Sequence, residues 1–498
     1  MTTAYFTRCL RTIPRVSIAV FALLLTAAST GSATRLKGQM ITWSSFHFVQ
    51  SVAASISHVY FATTNGVVRY DKMANRWELP LTGADGLESR DIQRIWVTRF
   101  DDHLYAQTEL GYFDYDMFFD RWYPRNTLPD LDTIYTHTSV PIDLIPPAGL
   151  NYFSQGELTD LSGRRVPIST VIQDNTGDLW VGTWGFGPAR TRSGSLELEF
   201  LQCGLLQNRV NAMYADDSGL FLSGLYGGDA RQGITVFNTS DLSSEFIEAG
   251  VSLNFSPGDI TSLLADSASI YIGTPTGLLV MDRSSSQVTR RFNGRNGFSD
   301  DSVLCFAHLS DSLFVGTSAG LCLLRNDTVK FIAPRLLSSH RIFHLEPQDG
   351  NLWIASDYGA YRLNLKTGEI GKFLDPGKFT ADRVYDIERV GQFLWMSADN
   401  GLLRINHKTA QTEPYRLTLF PNVRRPLAVN DRVAAVASDR GIMLIHYDRA
   451  KPISREFTMA DGLPSDRVNC LAFDGDYLWI GSDGGLTRFW WNNPERVD

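Results

Sequence analysis

Short stretches of alternating apolar and polar residues run along most of the chain, and turn residues separate them at regular intervals. In the clearest copy, residues 341–346 alternate, a polar turn follows, and an apolar stretch covers residues 352–356. Two further stretches, 360–365 and 370–374, complete a unit of four. Alternation with a period of two and turn residues at fixed offsets predict β-strands. Four strands in about 42 residues are typical of one blade of a β-propeller.

The same unit recurs ten times, and the second strand carries an aromatic residue in nine of the copies. The residues at this position are Tyr60, Tyr105, Trp180, Phe221, Tyr271, Phe314, Trp353, Trp395, Ala435 and Trp479. Neighbouring copies are 39–50 residues apart, except for one interval of 75 residues. Because propeller blades stack face to face, we expect this residue to pack between neighbouring blades. The sequence therefore predicts an all-β fold, a β-propeller of about ten four-stranded blades across residues 41–498.

Ten blades exceed the usual four to eight. We favour a single wide ring, and the alternative is two smaller propellers. The last unit supplies only three strands, whereas residues 41–48 have a strand pattern without a blade. Because an open sheet edge invites aggregation, we predict that residues 41–48 supply the outer strand of the last blade. The long interval contains an insertion at about residues 126–167, which is a functional loop, an additional blade or a brace on the rim.

A repeat motif reads DGLPSDRV at residues 461–468 and LWIGSDGGL at 478–486, and a second copy reads GLLQNRV at 204–210. These motifs resemble the two-component-regulator propeller repeat. The resemblance covers roughly residues 49–491 and implies a periplasmic, ligand-binding sensor propeller. In that family the propellers precede a transmembrane helix and a histidine kinase. This sequence shows neither, so we expect a stand-alone exported propeller.

Residues 1–33 have the pattern of a secretory signal peptide. Three arginines precede the apolar residues 16–28, and small residues follow. An apolar run of this length is too short to cross a bilayer, which takes about 20 residues. We therefore expect cleavage near Ala33 and a periplasmic or secreted protein with no membrane span after cleavage. The net charge of −8 argues against a nucleic-acid partner, because nucleic-acid binders present a basic face.

Two loops between the second and third strands of a unit differ from the short turns found elsewhere. They cover residues 184–187 and 224–233 and belong to neighbouring blades. Exposed aromatic side chains beside polar groups suit a sugar or a peptide ligand. The candidate ligand-binding residues are Trp184, Phe186, Tyr226, Asp229 and Arg231. A longer turn packed on its own glycines is the structural alternative.

An acidic residue occupies the same turn in five other blades. These residues are Glu109, Asp357, Asp399, Asp439 and Asp483. A carboxylate at the start of a turn accepts hydrogen bonds from nearby backbone N–H groups, which is the ordinary explanation. The alternative is an acidic arc that attracts a cation or a basic segment.

Metal and catalytic motifs are absent from the sequence. His340 and His344 would lie about 13 Å apart on a strand, which is too far for two ligands of one zinc ion. Residues 174–178 resemble half of a calcium loop but lack the glutamate at position twelve. We therefore expect no bound metal and no cofactor.

The sequence favours an exported, non-enzymatic β-propeller that binds a glycan, a peptide or an envelope protein through its loop-rich face, as a sensor does. One alternative is a glycosidase or lyase acting on polysaccharide, since propeller enzymes assemble their sites from distant blades. The other is an envelope assembly or secretion-system component. The cysteines that follow the signal peptide show no paired spacing, and we expect packed free thiols.

Overall fold

The structure is a computed structural model. It describes residues 39–493 except 88, 132, 134, 142–143, 155, 162, 225–230, 250–258, 374–381, 417–425, 439 and 449–451. The predicted all-β, multi-blade propeller is confirmed, because the described strands form ten antiparallel sheets, nine of them with four strands. The predicted signal peptide, residues 1–33, lies outside the described residues.

The sheets are numbered as blades in chain order, and each blade is given from its first strand to its last. Blade 1 is Val49–Ala54, His58–Thr63, Gly66–Asp71 and Arg76–Trp77; blade 2 is Arg94–Val97, Leu104–Thr108, Gly111–Asp116 and Arg121–Arg125; blade 3 is Arg165–Gln173, Leu179–Thr183, Pro188–Thr191 and Glu199–Phe200. Blade 3 also carries Thr136–His137, Leu150–Ser154 and Glu157–Asp160. Blade 4 is Ala212–Asp216, Gly219–Ser223, Gly233–Phe237 and Ser244–Glu248; blade 5 is Ser262–Ala265, Ser269–Thr274, Gly277–Asp282 and Gln287–Phe292.

The remaining blades complete the chain. Blade 6 is Val303–Leu309, Ser312–Thr317, Gly320–Arg325 and Thr328–Ile332; blade 7 is Ile342–Gln348, Asn351–Ser356, Gly359–Asn364 and Ile370–Lys372; blade 8 is Val384–Val390, Phe393–Ala398, Gly401–Asn406 and Thr412–Arg416. Blade 9 is Leu427–Val429, Val433–Ser438, Gly441–His446 and Ile453–Phe457; blade 10 is Val468–Asp474, Tyr477–Ser482, Gly485–Trp490 and the strand Met40–Trp43. The described helical segments are Gly83–Asp85, Gly294–Asn296, Pro334–Leu337 and Met459–Asp461.

Blades 4–10 form a closed ring of seven, so the single ring of ten blades that the sequence favoured is wrong. The first strand of blade 4 packs against the first strand of blade 10. The backbone N–H of Val210 donates to the carbonyl of Ser482 across this contact, at 2.9 Å. Each of the seven blade interfaces has its own buried apolar cluster. The alternative, a chain divided into two bodies, therefore describes the structure better, although blades 1–3 do not form a ring.

The ring is closed by a strand from the other end of the chain. Met40–Trp43 pairs with the third strand of blade 10, with Met40 opposite Phe489 and Trp43 opposite Leu486. The prediction that residues 41–48 supply the outer strand of the last blade is confirmed for 41–43, whereas 44–48 leave that strand and run toward the array. Trp43 is buried between blades 10 and 4, with its ring 5.1 Å from that of Phe237 and 5.9 Å from that of Trp479.

Blades 1–3 form a separate three-bladed array in the spatial order 2-1-3. The first strand of blade 1 packs against the first strands of both neighbours, and the three blades share one buried apolar cluster. The outer face of blade 3 is covered by the residues of the long interval. Leu144 and Leu158 are buried there against Val171 and Val181, together with Leu198 from the loop before the fourth strand of blade 3. Within the described residues, the segment that the sequence marked as an insertion thus lies over the end of the array.

Candidate functional site

The array and the ring are joined by two stretches of chain that run side by side. The first, Ser44–Phe48, leaves the closing strand, and the second, 202–205, enters blade 4. The N–H of Leu205 donates to the carbonyl of Ser44 at 3.0 Å. Gly204 has a φ of +67°, and a Cβ there would lie 2.3 Å from the oxygen of Ser44, so only glycine fits this close approach. The junction is therefore fixed by backbone contacts.

A cavity of about 160 Å³ opens beside this junction. Its apolar walls are Phe186 and Phe200 from blade 3 and Phe246 from blade 4. Its polar groups are His47, Cys203, Asp160, Arg231 and Glu248. A concave site with aromatic walls and a few convergent polar groups is the usual form of a small-molecule site.

Two arginines and two carboxylates form a network that crosses the cavity from the array to the ring. Arg231 donates to Glu248 at 2.8 and 3.2 Å. Arg164, from the array, lies 3.4 Å from the other oxygen of Glu248 and 3.0 Å from Asp160. The guanidinium of Arg231 lies over the ring of Phe246, and that of Arg164 lies over the ring of Phe186. Arg231, Asp160 and Glu248 line the cavity, and Arg164 is bonded to both carboxylates without lining it, so the four charges of the network balance.

His47 and Cys203 are both buried beside this network. Burial, reinforced by the charge of Arg231, lowers the pKa of His47 well below its ordinary value. The guanidinium of Arg231 has only donors, so His47 Nδ1, at 3.2 Å, accepts its hydrogen bond. Burial likewise raises the pKa of the Cys203 thiol. Both groups are therefore neutral at physiological pH.

The structure brings together two of the five predicted ligand-binding residues, Phe186 and Arg231, whose charged and aromatic groups lie 5.8 Å apart. Trp184 belongs to the same loop as Phe186 and is 42% exposed, with its ring against Phe48. Tyr226 and Asp229 lie outside the described residues. The assignment of these five residues to ligand binding stays a prediction.

Sequence reasoning missed the residues that complete the cavity. His47 lies in the segment assigned to a strand, and Glu248 ends a strand with ordinary alternation. Arg164 and Asp160 lie inside the interval marked as an insertion, which was the available signal. No spacing rule connects these positions, because the fold alone places them side by side.

The described members of the predicted acidic arc are divided between the two bodies. Glu109 is exposed in blade 2 of the array, whereas Asp357, Asp399 and Asp483 lie in blades 7, 8 and 10 of the ring. Asp439 lies outside the described residues. Asp357 accepts from the N–H of Arg341 at 3.0 Å and Asp399 accepts from the hydroxyl of Tyr385 at 2.7 Å. Asp483 is paired with Arg209 at 3.0 Å. These bonds are those of carboxylates that hold turns and neighbouring strands in place.

His340 and His344 have separate partners in the structure. His340 is hydrogen-bonded to the hydroxyl of Tyr361 at 2.9 Å. His344 is paired through Nδ1 with Asp386, on the first strand of the next blade. Glu346 and Glu388 lie near this pair on the same two innermost strands. Blades 7 and 8 therefore share a cluster of one imidazole and three carboxyls.

The pKa values of His344, Glu346 and Glu388 lie above those of the same side chains in water. Burial opposes the charge on His344, but the carboxylate of Asp386 outweighs it and raises the pKa of His344 to about 9. Burial and the charge of Asp386 raise the pKa of Glu346 to about 6 and that of Glu388 well above the carboxyl range. The charges of His344 and, to a smaller extent, Arg389 oppose the effect at Glu346.

We expect the stability of the ring to fall as the pH rises from about 5 to 9. His344 contributes stability below its unfolded pKa of about 6.5 and loses it as the pH passes the folded value. The raised pKa values of Glu346 and Glu388 act in the same direction, because ionising a buried carboxyl costs more in the folded state. Between pH 5 and pH 9, the Glu388→Gln variant should lose at least about 1 kcal/mol less free energy of unfolding than the wild type loses. Urea unfolding at pH 5, 7 and 9 measures this difference. A loss of equal size in the variant would contradict this assignment.

Among the described residues, no helix has the length and hydrophobicity needed to cross a membrane. No protein-family model matches the chain, and no curated protein matches it in sequence.

Solved structures do match it in three dimensions. One is PorZ, a bacterial surface component of the type-IX secretion system of Porphyromonas gingivalis. It has a TM-score of 0.54 and 13% identity, with 91% of this chain and 87% of that chain covered. Another is the extracellular domain of the putative hybrid two-component system BT4673 from B. thetaiotaomicron. It has a TM-score of 0.47 and 15% identity, with 89% and 70% of the two chains covered. At 13% identity the likeness to PorZ shows a shared fold and nothing beyond it.

Proposed function

We propose that the protein is an exported, non-enzymatic β-propeller that binds a neutral sugar residue of an extracellular glycan in the junction cavity. The observation that supports this is the cavity itself, where aromatic walls enclose a charge-balanced set of donors and acceptors. The surface and extracellular proteins that share the fold agree with an exported chain, as does the signal pattern of residues 1–33.

The size and chemistry of the cavity favour one ring of a sugar. A cavity of roughly 150 Å³ in another protein accommodates benzene, so about 160 Å³ has room for one six-membered ring. The aromatic side chains of Phe186, Phe200 and Phe246 offer apolar contacts to the C–H groups of a sugar, and Arg231, Asp160 and Glu248 offer donors and acceptors to its hydroxyl groups. Because the two guanidinium and two carboxylate charges already neutralise one another, an uncharged ligand fits better than an ion.

The same network argues against glycoside hydrolysis in this cavity. A glycosidase needs one carboxyl that carries a proton to the leaving group and a second that acts as base or nucleophile. Here Asp160 is bonded to Arg164, and Glu248 is bonded to both arginines. Both carboxylates therefore serve to position guanidinium groups.

Blocking the cavity should abolish glycan binding without unfolding the protein. Ala148 is exposed at the cavity wall, so Ala148→Trp fills the opening and leaves the core intact. We expect retention on a glycan array, and affinity for the retained glycan by calorimetry, to fall at least about tenfold. Ala268→Trp, in an exposed turn of blade 5, is the matched control and should bind as the wild type does. Equal retention by Ala148→Trp would show that the ligand binds elsewhere.

A second candidate is an envelope assembly or secretion-system component, favoured by exposed apolar side chains at one end of the array. These side chains are 47–87% exposed and belong to Ile56, Met73, Phe100, Phe118 and Phe119. They lie in the turns between first and second strands or between third and fourth strands of blades 1 and 2. Exposed apolar clusters of this kind mark protein-binding surfaces. If Phe118→Ser with Phe119→Ser abolishes co-purification of an envelope protein and the wild type retains no glycan, this candidate replaces the first.

A further inference from the structure

Three ligand-type side chains meet at one edge of blade 1. His58 begins the second strand, Asp71 ends the third strand directly opposite it, and Glu78 follows the short fourth strand. Each offers one ligand atom, and these atoms lie within 4.8 Å of one another. All three side chains are half-buried. Adjacent strands of one sheet thus supply one nitrogen and two oxygens to a common point.

Each of the three side chains is anchored through one atom and presents another. The Nδ1 of His58 donates to the carboxylate of Asp102 at 2.8 Å, so in the neutral imidazole the lone pair is on Nε2. One oxygen of Glu78 accepts from Arg69 at 2.8 Å, and the other lies 3.5 Å from His58 Nε2. One oxygen of Asp71 accepts from the N–H groups of Met73 and Ala74 at 2.8 and 2.9 Å.

This arrangement is that of a metal site with its outer contacts in place. Metal-binding histidines usually donate their second N–H to a carboxylate, and ligating carboxylates are themselves hydrogen-bonded. Here Asp102, Arg69 and the backbone of the turn after Asp71 supply those contacts. Asp71, Glu78 and Asp102 bring three carboxylates to this point, and Arg69 and Arg76 offset part of their charge.

We propose that His58, Asp71 and Glu78 bind a divalent transition-metal ion, with Zn²⁺ as the best match to one imidazole and two carboxylates. Tetrahedral bonds of about 2.1 Å place ligand atoms about 3.4 Å apart. Side-chain rotations that move the ligand atoms by about 1 Å bring them to this distance. Solvent completes the coordination. The ion joins three strands of blade 1 and, through Asp102, links them to blade 2.

The site also explains what holds the edge of blade 1 together. Its fourth strand, Arg76–Trp77, has only two residues, and the array lacks the closure that stabilises the ring. A metal ion that joins the residues flanking this strand to the second and third strands would add a cross-link at this edge. The proposal is independent of the sugar site, because none of its residues lines the junction cavity.

The test uses the full mature chain without a histidine tag, stripped with EDTA and titrated with ZnCl₂ by calorimetry. We expect one saturable site per chain and a melting temperature that rises with zinc. Glu78→Gln with Asp71→Asn should abolish both effects, and Asp102→Asn should weaken binding about ten- to a hundredfold. The absorption of bound Co²⁺ reports whether His58 is a ligand, and it should change in His58→Gln.

His103→Ala is the matched control. His103 precedes the second strand of blade 2, at the position that corresponds to His58, and lies 3.7 Å from Asp114; it is not part of the three-ligand group. This variant should bind zinc as the wild type does. Absence of saturable binding up to 1 mM zinc, or equal binding by the Glu78→Gln, Asp71→Asn variant, would overturn the proposal. If that double variant melts below the metal-free wild type, Glu78→Gln alone decides, since its amide keeps the size of the side chain.

Discussion

Replacing Trp43 with alanine should lower the free energy of unfolding of the ring by about 3–5 kcal/mol, the usual cost of truncating a buried aromatic side chain. Trp43 is 4% exposed and belongs to the strand that closes blade 10. Its ring contacts Phe237 of blade 4 and Trp479 of blade 10. The truncation therefore leaves a cavity at the one interface where the two ends of the ring meet. Urea unfolding followed by tryptophan fluorescence and circular dichroism measures the effect.

Trp184→Ala is the matched control, because it removes the same side chain from an exposed position. Its 42% exposure predicts a cost below about 1 kcal/mol, in the range of surface substitutions. If Trp43→Ala costs no more than Trp184→Ala, the closing strand does not stabilise the ring. Self-association of Trp43→Ala would support closure, since loss of this strand exposes the edge of blade 10.

Removing the carboxylate of Asp174 should cost a similar amount, about 3–5 kcal/mol, because it leaves a buried ammonium group uncompensated. The side chain of Asp174 is fully buried in blade 3, where it accepts from Trp180 Nε1 at 3.0 Å. Lys72 of blade 1, itself only 10% exposed, reaches it at 3.1 Å. Asp174→Ala thus breaks the contact between two blades of the array. Thermal and urea unfolding of the variant give the cost.

Two further variants separate charge from hydrogen bonding. Asp174→Asn keeps an acceptor for Trp180 and loses only the charge, so it should cost less than Asp174→Ala. Adding Lys72→Met to Asp174→Asn removes the unpaired ammonium and should restore part of the stability. No recovery in the double variant would mean that the charge pair is not what Asp174 contributes.

Asp174 shows how far the sequence alone could go. Its segment resembles half of a calcium loop in sequence, and in the structure it is the turn between the first two strands of blade 3. In this turn, Asp174 accepts hydrogen bonds from the N–H groups of Thr176 and Asp178. The partners that matter most, Trp180 and Lys72, were not visible together, because Lys72 comes from another blade.

The number of blades and their strands could be predicted because the sequence signals of each blade lie within one short stretch of the chain. Turn residues and the aromatic position repeat within about 42 residues, and Trp395 and Trp479 are buried between blades as expected. The division into a ring of seven and an array of three could not be predicted. It depends on whether the first strand of blade 4 meets blade 3 or blade 10, and both faces carry the same repeat pattern.

The candidate site was only partly predictable for the same reason. Phe186 and Arg231 stood out because their loops break the short-turn pattern. His47 and Glu248 lie in ordinary strand patterns. No residue near them in the sequence indicates that the folded chain brings them to one cavity. Sites assembled from separate bodies depend on contacts between residues that are far apart in sequence.

The pairing of Met40–Trp43 with Gly485–Trp490 has a consequence for the order of folding. The two strands are separated by more than 440 residues, so this contact forms only after blade 10 has been synthesised. The array, whose contacts are all closer in sequence, can fold earlier. Until the ring closes, the edge of blade 10 and the apolar face of Trp43 stay open to other chains, and long-range pairing of this kind is slow and exposed to aggregation. Folding yield should therefore depend on protein concentration and on chaperones at the last step.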